Sequence, residues 1–230
     1  MSARQFEAAE PEWMDRPEAS AQELENALRS LRGLNRYFGS YRLVRHFMRR
    51  WIKGGQQLRV LDLATGAGDI PRLIIDHARA IGAKAEVTAI DFQPTTIEIA
   101  RSWSADYPEI AFRTSDVLNY QSAEPFDIVI CSLALHHFSS EDAVKLLRRG
   151  RELSRRYVLV SDLRRGLECT LGVYLLTTLI FNDAMTKNDG RVSAARAFSF
   201  AELRELARSA GWENLGAAKF RFARQAIWLE

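Results

Sequence analysis

The stretch Val60-Leu61-Asp62-Leu63-Ala64-Thr65-Gly66-Ala67-Gly68-Asp69 passes from a short apolar run through a turn with two glycines into a helical pattern. Glycine lets a backbone adopt positive φ and approach a ligand closely, so such a turn can hold a ligand at the start of a helix. It lacks the lysine of a phosphate-binding loop, and Pro71 stands where a dinucleotide fingerprint has its third glycine. The turn therefore predicts a site for a nucleoside without a pyrophosphate, or else a tight turn with no ligand.

Apolar runs and helical patterns alternate along the chain after this turn. Predicted strands cover residues 59–63, 86–91, 110–113, 126–131 and 156–161, and predicted helices cover 70–80, 94–103 and 141–153. Asp69 is the predicted N-cap of the first of these helices. A helix over 200–210, capped by Ser199, and two antiparallel strands over 214–220 and 222–229 complete the pattern. This order predicts an α/β fold with a mostly parallel sheet covered by helices on both faces.

Two segments depart from the alternation. Residues 1–56 are predicted as an N-terminal arm, loose up to about residue 20, followed by a helical cap that Gly33 and Gly39 divide. Residues 57–230 are predicted as the main domain, with an insertion at about 164–192 after the fifth strand. The insertion begins with a segment that is apolar on most sides and ends with a polar loop over 182–192.

Acidic residues follow the second and third predicted strands. Asp91 ends the second strand, where a carboxylate can accept both hydroxyl hydrogens of a ribose, and the neighbouring Phe92 can offer a ring face to a purine. Asp116, which Val117 follows, comes after the third strand, where its carboxylate can accept a hydrogen bond from an adenine amino group. The alternative for both aspartates is an ordinary turn residue.

These motifs occur in a fixed order along the chain. They are Asp62-Leu63-Ala64-Thr65-Gly66-Ala67-Gly68, Asp91, Asp116, Phe126-Asp127-Ile128-Val129 and Ser132-Leu133-Ala134-Leu135-His136-His137-Phe138. From about residue 58 to residue 162 the sequence resembles class I S-adenosylmethionine-dependent methyltransferases. The resemblance implies a Rossmann-like sheet of seven strands with an antiparallel last strand, a helical N-terminal cap and a lid after the fifth strand.

Finer features point to two groups within that family. The variants at Ala64 and Asp69 are similar to the ubiquinone/menaquinone biosynthesis methyltransferases. Three further segments resemble small-molecule methyltransferases found with polyketide pathways, which implies secondary metabolism. These segments are Glu12-Trp13-Met14-Asp15, Asn35-Arg36-Tyr37 and Arg196-Ala197-Phe198-Ser199.

The resemblance implies S-adenosyl-L-methionine as the cofactor and gives roles to residues by position. The implied cofactor-binding residues are Asp62, Ala64, Gly66, Gly68, Asp91, Phe92, Asp116, Val117, Ser132 and Leu133. The turn would surround the methionine part of the cofactor, Asp62 would orient its amino group, and Asp91 would hold its ribose. Family members usually have glycine at the position of Ala64, so a slightly tighter turn is expected here.

A histidine pair follows the fourth strand, where the topology brings the substrate side of the cofactor. Methylation of oxygen benefits when the hydroxyl group loses its proton, and histidine is the usual base near neutral pH. Adjacent side chains after a strand diverge, so only one of His136 and His137 is expected to face the site. We predict His136, because the matching family position often lies beside the methyl group. The alternative is that both histidines cap the next helix or pack locally.

The insertion and the helical cap are expected to set acceptor selectivity. Apolar side chains of the insertion are Leu167, Leu171, Val173, Tyr174, Leu175, Leu176, Leu179, Ile180 and Phe181. With aromatic residues of the cap they would form a lid over an apolar pocket for a small aromatic or lipophilic acceptor. Tyr37, Tyr41, Tyr174 and Arg196 are the predicted acceptor contacts. The alternative for the insertion is a helix that packs in the core or at a dimer interface. The alternative for Arg196 is a solvated surface arginine.

Composition limits the remaining possibilities. A chain of 230 residues with 47% hydrophobic residues is globular, and its longest apolar run is too short to span a bilayer. Two cysteines and the lack of an apolar leader predict a cytoplasmic location. The net charge is +3, but the basic run over 145–156 has almost no aromatic residues to stack bases, so a solvated face and no nucleic-acid partner are predicted. No His, Cys, Asp or Glu cluster has metal-ligand spacing, so no metal is predicted.

The sequence therefore predicts an enzyme that transfers a methyl group from S-adenosylmethionine to a small acceptor, most favourably to oxygen. The alternatives are an RNA or protein methyltransferase and a non-catalytic module that binds the cofactor. A homodimer is a further expectation.

Overall fold

The computed structural model describes residues 3–7, 10–16, 18–179 and 183–230. The strands are β1 (Gln57–Leu63), β2 (Lys84–Asp91), β3 (Ile110–Thr114), β4 (Phe126–Ser132), β5 (Ser154–Leu163), β6 (Gly216–Phe220) and β7 (Arg224–Leu229). The helices are α1 (Ala21–Tyr37), α2 (Ser40–Trp51), α3 (Asp69–Ala80), α4 (Pro94–Ser102), α5 (Ser140–Leu153), α6 (Leu167–Leu179), α7 (Ala184–Arg196) and α8 (Phe200–Ser209). Short 3-10 turns cover Trp13–Asp15 and Leu135–His137.

The described strands form one sheet in the order β3-β2-β1-β4-β5-β7-β6. The pairs from β3 to β5 are parallel, whereas β7 is antiparallel to both β5 and β6. This confirms the predicted fold class, including the antiparallel strand near the end of the chain. In such a sheet the carboxyl ends of β1, β2 and β4 meet at one edge, and β1 and β4 lie next to each other where the strand order reverses.

Helices bury both faces of the sheet, because successive side chains of a strand point to opposite faces. Val60 is fully buried in a cluster that includes side chains of α2 and α3, such as Phe47 and Ile74. Its neighbour Leu61 is fully buried on the other face, with side chains of α5 and α8. The continuous apolar runs of the central strands therefore report burial on two sides, as the sequence pattern predicts.

Helices α1 and α3 differ from the sequence-based expectation. Helix α1 runs through Gly33 without a break, and the chain turns only at Gly39, where φ is 93°. Asp69 is the first residue of α3 and not its N-cap, because Gly68 takes that position with a left-handed backbone. The Asp69 carboxylate instead accepts a hydrogen bond from Asn35 at 3.0 Å and so ties α3 to α1. Ser199 does cap α8, as predicted.

Helix α7 replaces the predicted polar loop. Asp183 caps it by accepting a hydrogen bond from the backbone N–H of Thr186 at 2.6 Å. Gly190 lies against α6, where an added Cβ would be 3.3 Å from Thr177. Part of the polar side of the helix is buried, since Asp189 is buried and binds the N-terminal segment. The segment has the polar composition of a loop because some of its polar side chains bind other parts of the protein. The prediction of a loop was therefore wrong.

The turn after β1 has a strained backbone at Ala64. Its φ is 55°, in the left-handed region that costs a non-glycine residue about 1–2 kcal/mol. Gly66 and Gly68 adopt the same region without that cost, and an added Cβ on Gly68 would stand 2.9 Å from the ring of Phe112. Alanine at position 64 therefore keeps the left-handed backbone conformation that glycine would adopt there.

Ala64→Gly is expected to stabilise the protein by up to about 1 kcal/mol, because relief of the strain exceeds the entropy that glycine adds to the unfolded chain. Chemical denaturation measures the free energy of unfolding. Ala67→Gly is the matched control, since Ala67 lies in the same turn without positive φ and should lose stability. Equal effects of the two substitutions would contradict the account.

Candidate active site

A cavity of about 860 Å³ opens at the carboxyl edge of the sheet, beside the turn that follows β1. Most of the residues predicted for cofactor binding line it, together with His136. They are Asp62, Ala64, Gly66, Asp91, Phe92, Asp116, Val117, Ser132 and Leu133. Gly68 lies behind the turn at the start of α3 and does not line the cavity. The topology thus collects side chains from four separate strand ends at one place.

Asp62 is a buried carboxyl group at the floor of the cavity. Burial raises its pKa to about 8; the hydrogen bond from the Thr65 hydroxyl at 2.6 Å opposes that rise, whereas Asp69 and Asp91 add to it. A carboxyl group in this setting gains from a cationic partner, which would stabilise its ionised form.

Asp62 makes the stability of the ligand-free protein depend on pH. Because its folded-state pKa lies above the unfolded value near 4, its stabilising contribution is complete below about pH 4 and is lost as pH rises to about 8. Above pH 8, Asp62→Asn is therefore expected to be more stable than the native protein by at least about 1.4 kcal/mol, the equivalent of one pKa unit. Thermal unfolding across pH 5–9 measures it.

The matched control is Asp76→Asn, because Asp76 is an exposed aspartate that accepts a hydrogen bond from Tyr107. This variant should keep the fall in stability with pH. An unchanged pH dependence in Asp62→Asn would show that Asp62 does not titrate in this range.

Asp91 connects the end of β2 to the glycine turn. Its carboxylate accepts hydrogen bonds from the backbone N–H groups of Gly66 at 2.9 Å and Gln93 at 3.2 Å. Burial raises its pKa, and these two hydrogen bonds oppose the rise. Each oxygen keeps one further acceptor position, so the carboxylate can still accept two hydrogen bonds from a ligand.

Asp116 and Phe92 lie at the more open side of the cavity. The Asp116 carboxylate accepts hydrogen bonds from the Leu118 backbone at 2.9 Å and from the Asn119 side chain at 2.6 Å, which holds the loop after β3. Phe92 is 55% exposed, so its ring is free to pack on a ligand. Ser132 ends β4, and Leu133 follows it with a positive φ of 57°. The Leu133 N–H already donates to Ser161.

His136 is buried, and Asp162 on β5 fixes its orientation. The Asp162 carboxylate contacts His136 Nδ1 at 2.6 Å and accepts from the His136 backbone N–H at 2.9 Å. With Nδ1–H as the donor to a carboxylate, the imidazole keeps a free lone pair on Nε2. Because His136 lines the cavity, this arrangement suits a proton acceptor.

His137 lines the same cavity, contrary to the expectation that only one histidine would face it. The two rings lie 4.4 Å apart, because they belong to a 3-10 turn and not to an extended strand. His137 Nδ1 contacts the Asp15 carboxylate at 2.9 Å. Burial lowers the pKa of His137, but Glu12 and Asp15 outweigh that effect and raise it to about 10. His137 is therefore an imidazolium at neutral pH.

Glu12 is the residue that the sequence analysis did not place in the site. Its buried carboxylate has Oε1 at 3.9 Å from His136 Nε2 and Oε2 at 3.8 Å from His137 Nε2. One ligand atom from each of these three residues lies within 4.8 Å of the others, a spacing that a metal ion could use. The prediction of no metal rested on the lack of ligands at short sequence spacing, and these three residues come together from distant parts of the chain. The segment Glu12-Trp13-Met14-Asp15 was the sequence signal that could have indicated this role. The histidines that it contacts are more than 120 residues away in the sequence.

The N-terminal segment is packed on the site and is not the expected loose arm. Asp189 of α7 accepts hydrogen bonds from the backbone N–H groups of Trp13 at 2.8 Å and Met14 at 3.0 Å. Arg196 donates to the carbonyls of Glu7 and Glu10. Arg4 donates to the carbonyl of His136 at 3.0 Å. Residues 12–15 are therefore held from two sides over the cavity.

The four predicted acceptor contacts lie outside the cavity lining. Tyr37 is 69% exposed, and Tyr174 packs under Arg191 on the outer side of α6. Tyr41 is on α2 and packs against the core, where burial and the nearby Asp69 raise its pKa. Arg196 is buried and binds the N-terminal segment. Tyr41 and Arg196 thus have partners within the protein, whereas Tyr37 and Tyr174 are exposed outside the cavity.

Part of the cavity lining is apolar. Its side chains come from α1, the turn after it and α6, and they include Leu28, Leu31, Phe38, Val173 and Leu176. Leu28 packs on the glycine turn, near Gly66 and Ala67. Leu167, Leu171 and Leu179 point outward and are exposed. The predictions for Ile180 and Phe181 lie outside the described residues.

The basic run over 145–156 lies on an exposed face, as predicted, since only Arg149 of its basic residues is half-buried. Some of these side chains also bind the protein's own groups. Arg149 donates to the carbonyl of Tyr120, Arg151 to that of Gly211, and Arg155 pairs with the buried Asp127 through two contacts of 2.9 Å. These arginines thus connect α5 and β5 to neighbouring loops while remaining largely in contact with solvent.

Comparisons with known proteins agree with the geometry. A family model described as "Methyltransferase domain" matches residues 60–156. A curated 2-phytyl-1,4-naphtoquinone methyltransferase of Thermosynechococcus vestitus is 33% identical over 81 residues, which are 35% of this chain and 35% of that protein. The match thus spans about a third of the relative.

Solved structures share the fold at low sequence identity. The plantazolicin methyltransferase in complex with SAH has a TM-score of 0.71 at 13% identity, covering 95% of this chain and 92% of that one. Human N-acetylserotonin methyltransferase in complex with SAM has a TM-score of 0.68 at 17% identity, covering 92% and 56%. Of the helices that the structure describes, none has the length and apolar character needed to cross a bilayer.

The family model assigns residues 60–156 to a methyltransferase domain, and the sheet order and the cavity at the carboxyl edge are those of the class I S-adenosylmethionine-dependent methyltransferase fold. This confirms the resemblance read from the sequence. The cofactor of this class is S-adenosylmethionine.

Proposed function

We propose that the protein transfers the methyl group of S-adenosylmethionine to a hydroxyl oxygen of a small aromatic or lipophilic acceptor. The observation that carries the proposal is the His136–Asp162 pair, which presents a free Nε2 in the same cavity as the glycine turn. S-adenosylmethionine supplies an activated methyl group, so the protein has to position the acceptor, exclude water and remove the hydroxyl proton. His136 is the proposed proton acceptor.

The cofactor fits the polar half of the cavity. Asp91 has two free acceptor positions for the ribose hydroxyls, and the buried Asp62 carboxyl gains from the cofactor's ammonium group. Asp116 and Phe92 stand where the adenine would lie, and Ala64, Gly66, Val117, Ser132 and Leu133 offer backbone around it. Gly68 acts indirectly, by shaping the turn. These roles are proposals from position.

The acceptor fits the apolar half. Phe38, Leu31 and Leu176 give a surface that suits a ring or an alkyl chain. The relatives named for a naphthoquinone and for N-acetylserotonin act on ring-containing small molecules, which supports an acceptor of this kind. We extend the proposal to secondary metabolism in the cytoplasm, where the two buried free cysteines would stay reduced.

The test is turnover with a small acceptor panel, measured as release of S-adenosylhomocysteine. A 4-alkylphenol should support turnover, whereas the methyl ether of the same phenol should not, because its oxygen is blocked. RNA and a protein extract serve as rival substrates. Turnover with either rival but not with the phenol would refute the proposal. Binding of S-adenosylhomocysteine without turnover on any substrate would indicate a non-catalytic module.

A further inference from the structure

The segment of residues 12–15 brings the carboxylates of Glu12 and Asp15 next to the two histidines of the cavity. Glu12 is only 2% exposed, and its carboxylate accepts a hydrogen bond from the Ser193 hydroxyl at 2.8 Å. The Asp189 carboxylate accepts hydrogen bonds from the backbone N–H groups of Trp13 and Met14, the two residues after Glu12. Burial of a carboxylate is costly unless it has partners, so this position demands an explanation.

We infer that Glu12, His136 and His137 together form the binding site of the acceptor's hydroxyl group, with Glu12 as a positioning residue. This inference rests on the proposed function. The Glu12 carboxylate oxygens lie 3.9 Å and 3.8 Å from the two Nε2 atoms. One ligand atom from each of the three groups lies within 4.8 Å of the others. One oxygen atom can stand at about 2.8 Å from two atoms that far apart, so a hydroxyl oxygen fits between the two imidazole rings with the Glu12 carboxylate beside them.

The two histidines have complementary hydrogen-bonding roles. Asp162 holds His136 with its free lone pair on Nε2, which accepts the hydroxyl proton. Asp15 accepts from His137 Nδ1 at 2.9 Å, and the raised pKa of this ring, about 10, keeps its Nε2 protonated as well, so its Nε2–H donates to the acceptor oxygen. The donor stabilises the negative charge that develops on that oxygen.

The group transfer then balances. The acceptor's O–H bond breaks and its proton moves to His136 Nε2. An O–CH3 bond forms while the S–CH3 bond breaks, and its electron pair stays on sulfur as a neutral thioether. The proton leaves to solvent when the products leave. Glu12 stabilises the His136 imidazolium that exists between these events.

The charges around the two rings favour this proton transfer. The carboxylates that face them are Glu12 and Asp15 from the N-terminal segment and Asp162 from β5, and Asp91 lies near His137. Asp189 from α7 binds the backbone of the same N-terminal segment. Arg4 is the cation that reaches this cluster, through the carbonyl of His136. A site that donates to an oxygen and accepts its proton selects acceptors that carry a hydroxyl group.

The test compares Glu12→Gln with the native protein on two phenols, 4-methylphenol and the much more acidic 4-nitrophenol. Loss of the carboxylate weakens proton removal, so kcat should fall about 10- to 100-fold with 4-methylphenol and only slightly with 4-nitrophenol, which ionises by itself. Glu12→Asp keeps the charge and should recover part of the rate. The affinity for S-adenosylhomocysteine should not change.

Glu10→Gln is the matched control, because Glu10 is exposed in the same segment, and it should behave like the native protein. Equal losses on both phenols would mark Glu12 as merely structural and overturn the inference. So would native rates in Glu12→Gln. Loss of native activity with a chelator, restored by zinc or manganese, would show that the three groups hold a cation instead. Failure of the native protein on every phenol would remove the proposed function itself.

Discussion

His136→Ala is expected to lower kcat by about 100- to 10,000-fold, the usual contribution of a general base. The substitution removes the imidazole that is proposed to take the hydroxyl proton. It leaves the backbone N–H that donates to Asp162, whose Oδ1 also accepts from the Leu163 N–H at 2.7 Å. The site should therefore keep its shape, and the affinity for S-adenosylhomocysteine should stay nearly unchanged. Single-turnover kinetics with a 4-alkylphenol measure the effect.

His46→Ala is the control for this experiment, because His46 is exposed on α2 and packs near Phe47 and Phe220. It should keep native turnover. The rate lost in His136→Ala should be partly recovered with 4-nitrophenol, whose proton needs no base. Native turnover in His136→Ala would remove this residue from the mechanism.

Asp91→Ala is expected to weaken binding of S-adenosylhomocysteine about 100-fold or more. Two hydrogen bonds to a charged carboxylate contribute about 1.5–3 kcal/mol each, and 1.4 kcal/mol corresponds to a tenfold change. The substitution also leaves the Gly66 N–H without its acceptor, which loosens the turn. Isothermal titration calorimetry measures the affinity.

Asp91→Asn separates these two effects, because its amide oxygen still accepts from Gly66 while the charge is lost. It should bind more weakly than the native protein but better than Asp91→Ala. Asp116→Ala should have a smaller effect, about tenfold, since one hydrogen bond at an open position is removed. Unchanged affinity in Asp91→Ala would contradict the proposed position of the ribose.

The sequence predicts the sheet and the cofactor side of the cavity for one physical reason. Parallel strands read as continuous apolar runs, and their carboxyl ends meet at one edge, so Asp62, Asp91 and Asp116 had to converge wherever the strands were correctly located. The glycine turn and its positive φ values follow from the same local pattern.

The acceptor side is not predictable in that way. Glu12 and Asp15 reach the histidines across a long sequence separation, and no local period reports such contacts. Tyr37 and Phe38 are neighbours at the end of α1, yet the first is exposed and the second lines the cavity, because one residue along a helix changes direction by about 100°. Predicting which of Tyr37 and Phe38 lines the cavity requires the position of the turn that follows α1.

The central claim is methyl transfer to a hydroxyl oxygen, and the receiving atom can be observed directly. The native protein is incubated with S-adenosylmethionine that has a 13C-labelled methyl group and with a 4-alkylphenol, and the product is examined by carbon NMR. We expect a single labelled signal at the chemical shift of an aryl methyl ether. A labelled methyl group on a ring carbon, or no labelled product while S-adenosylhomocysteine binds, would contradict it.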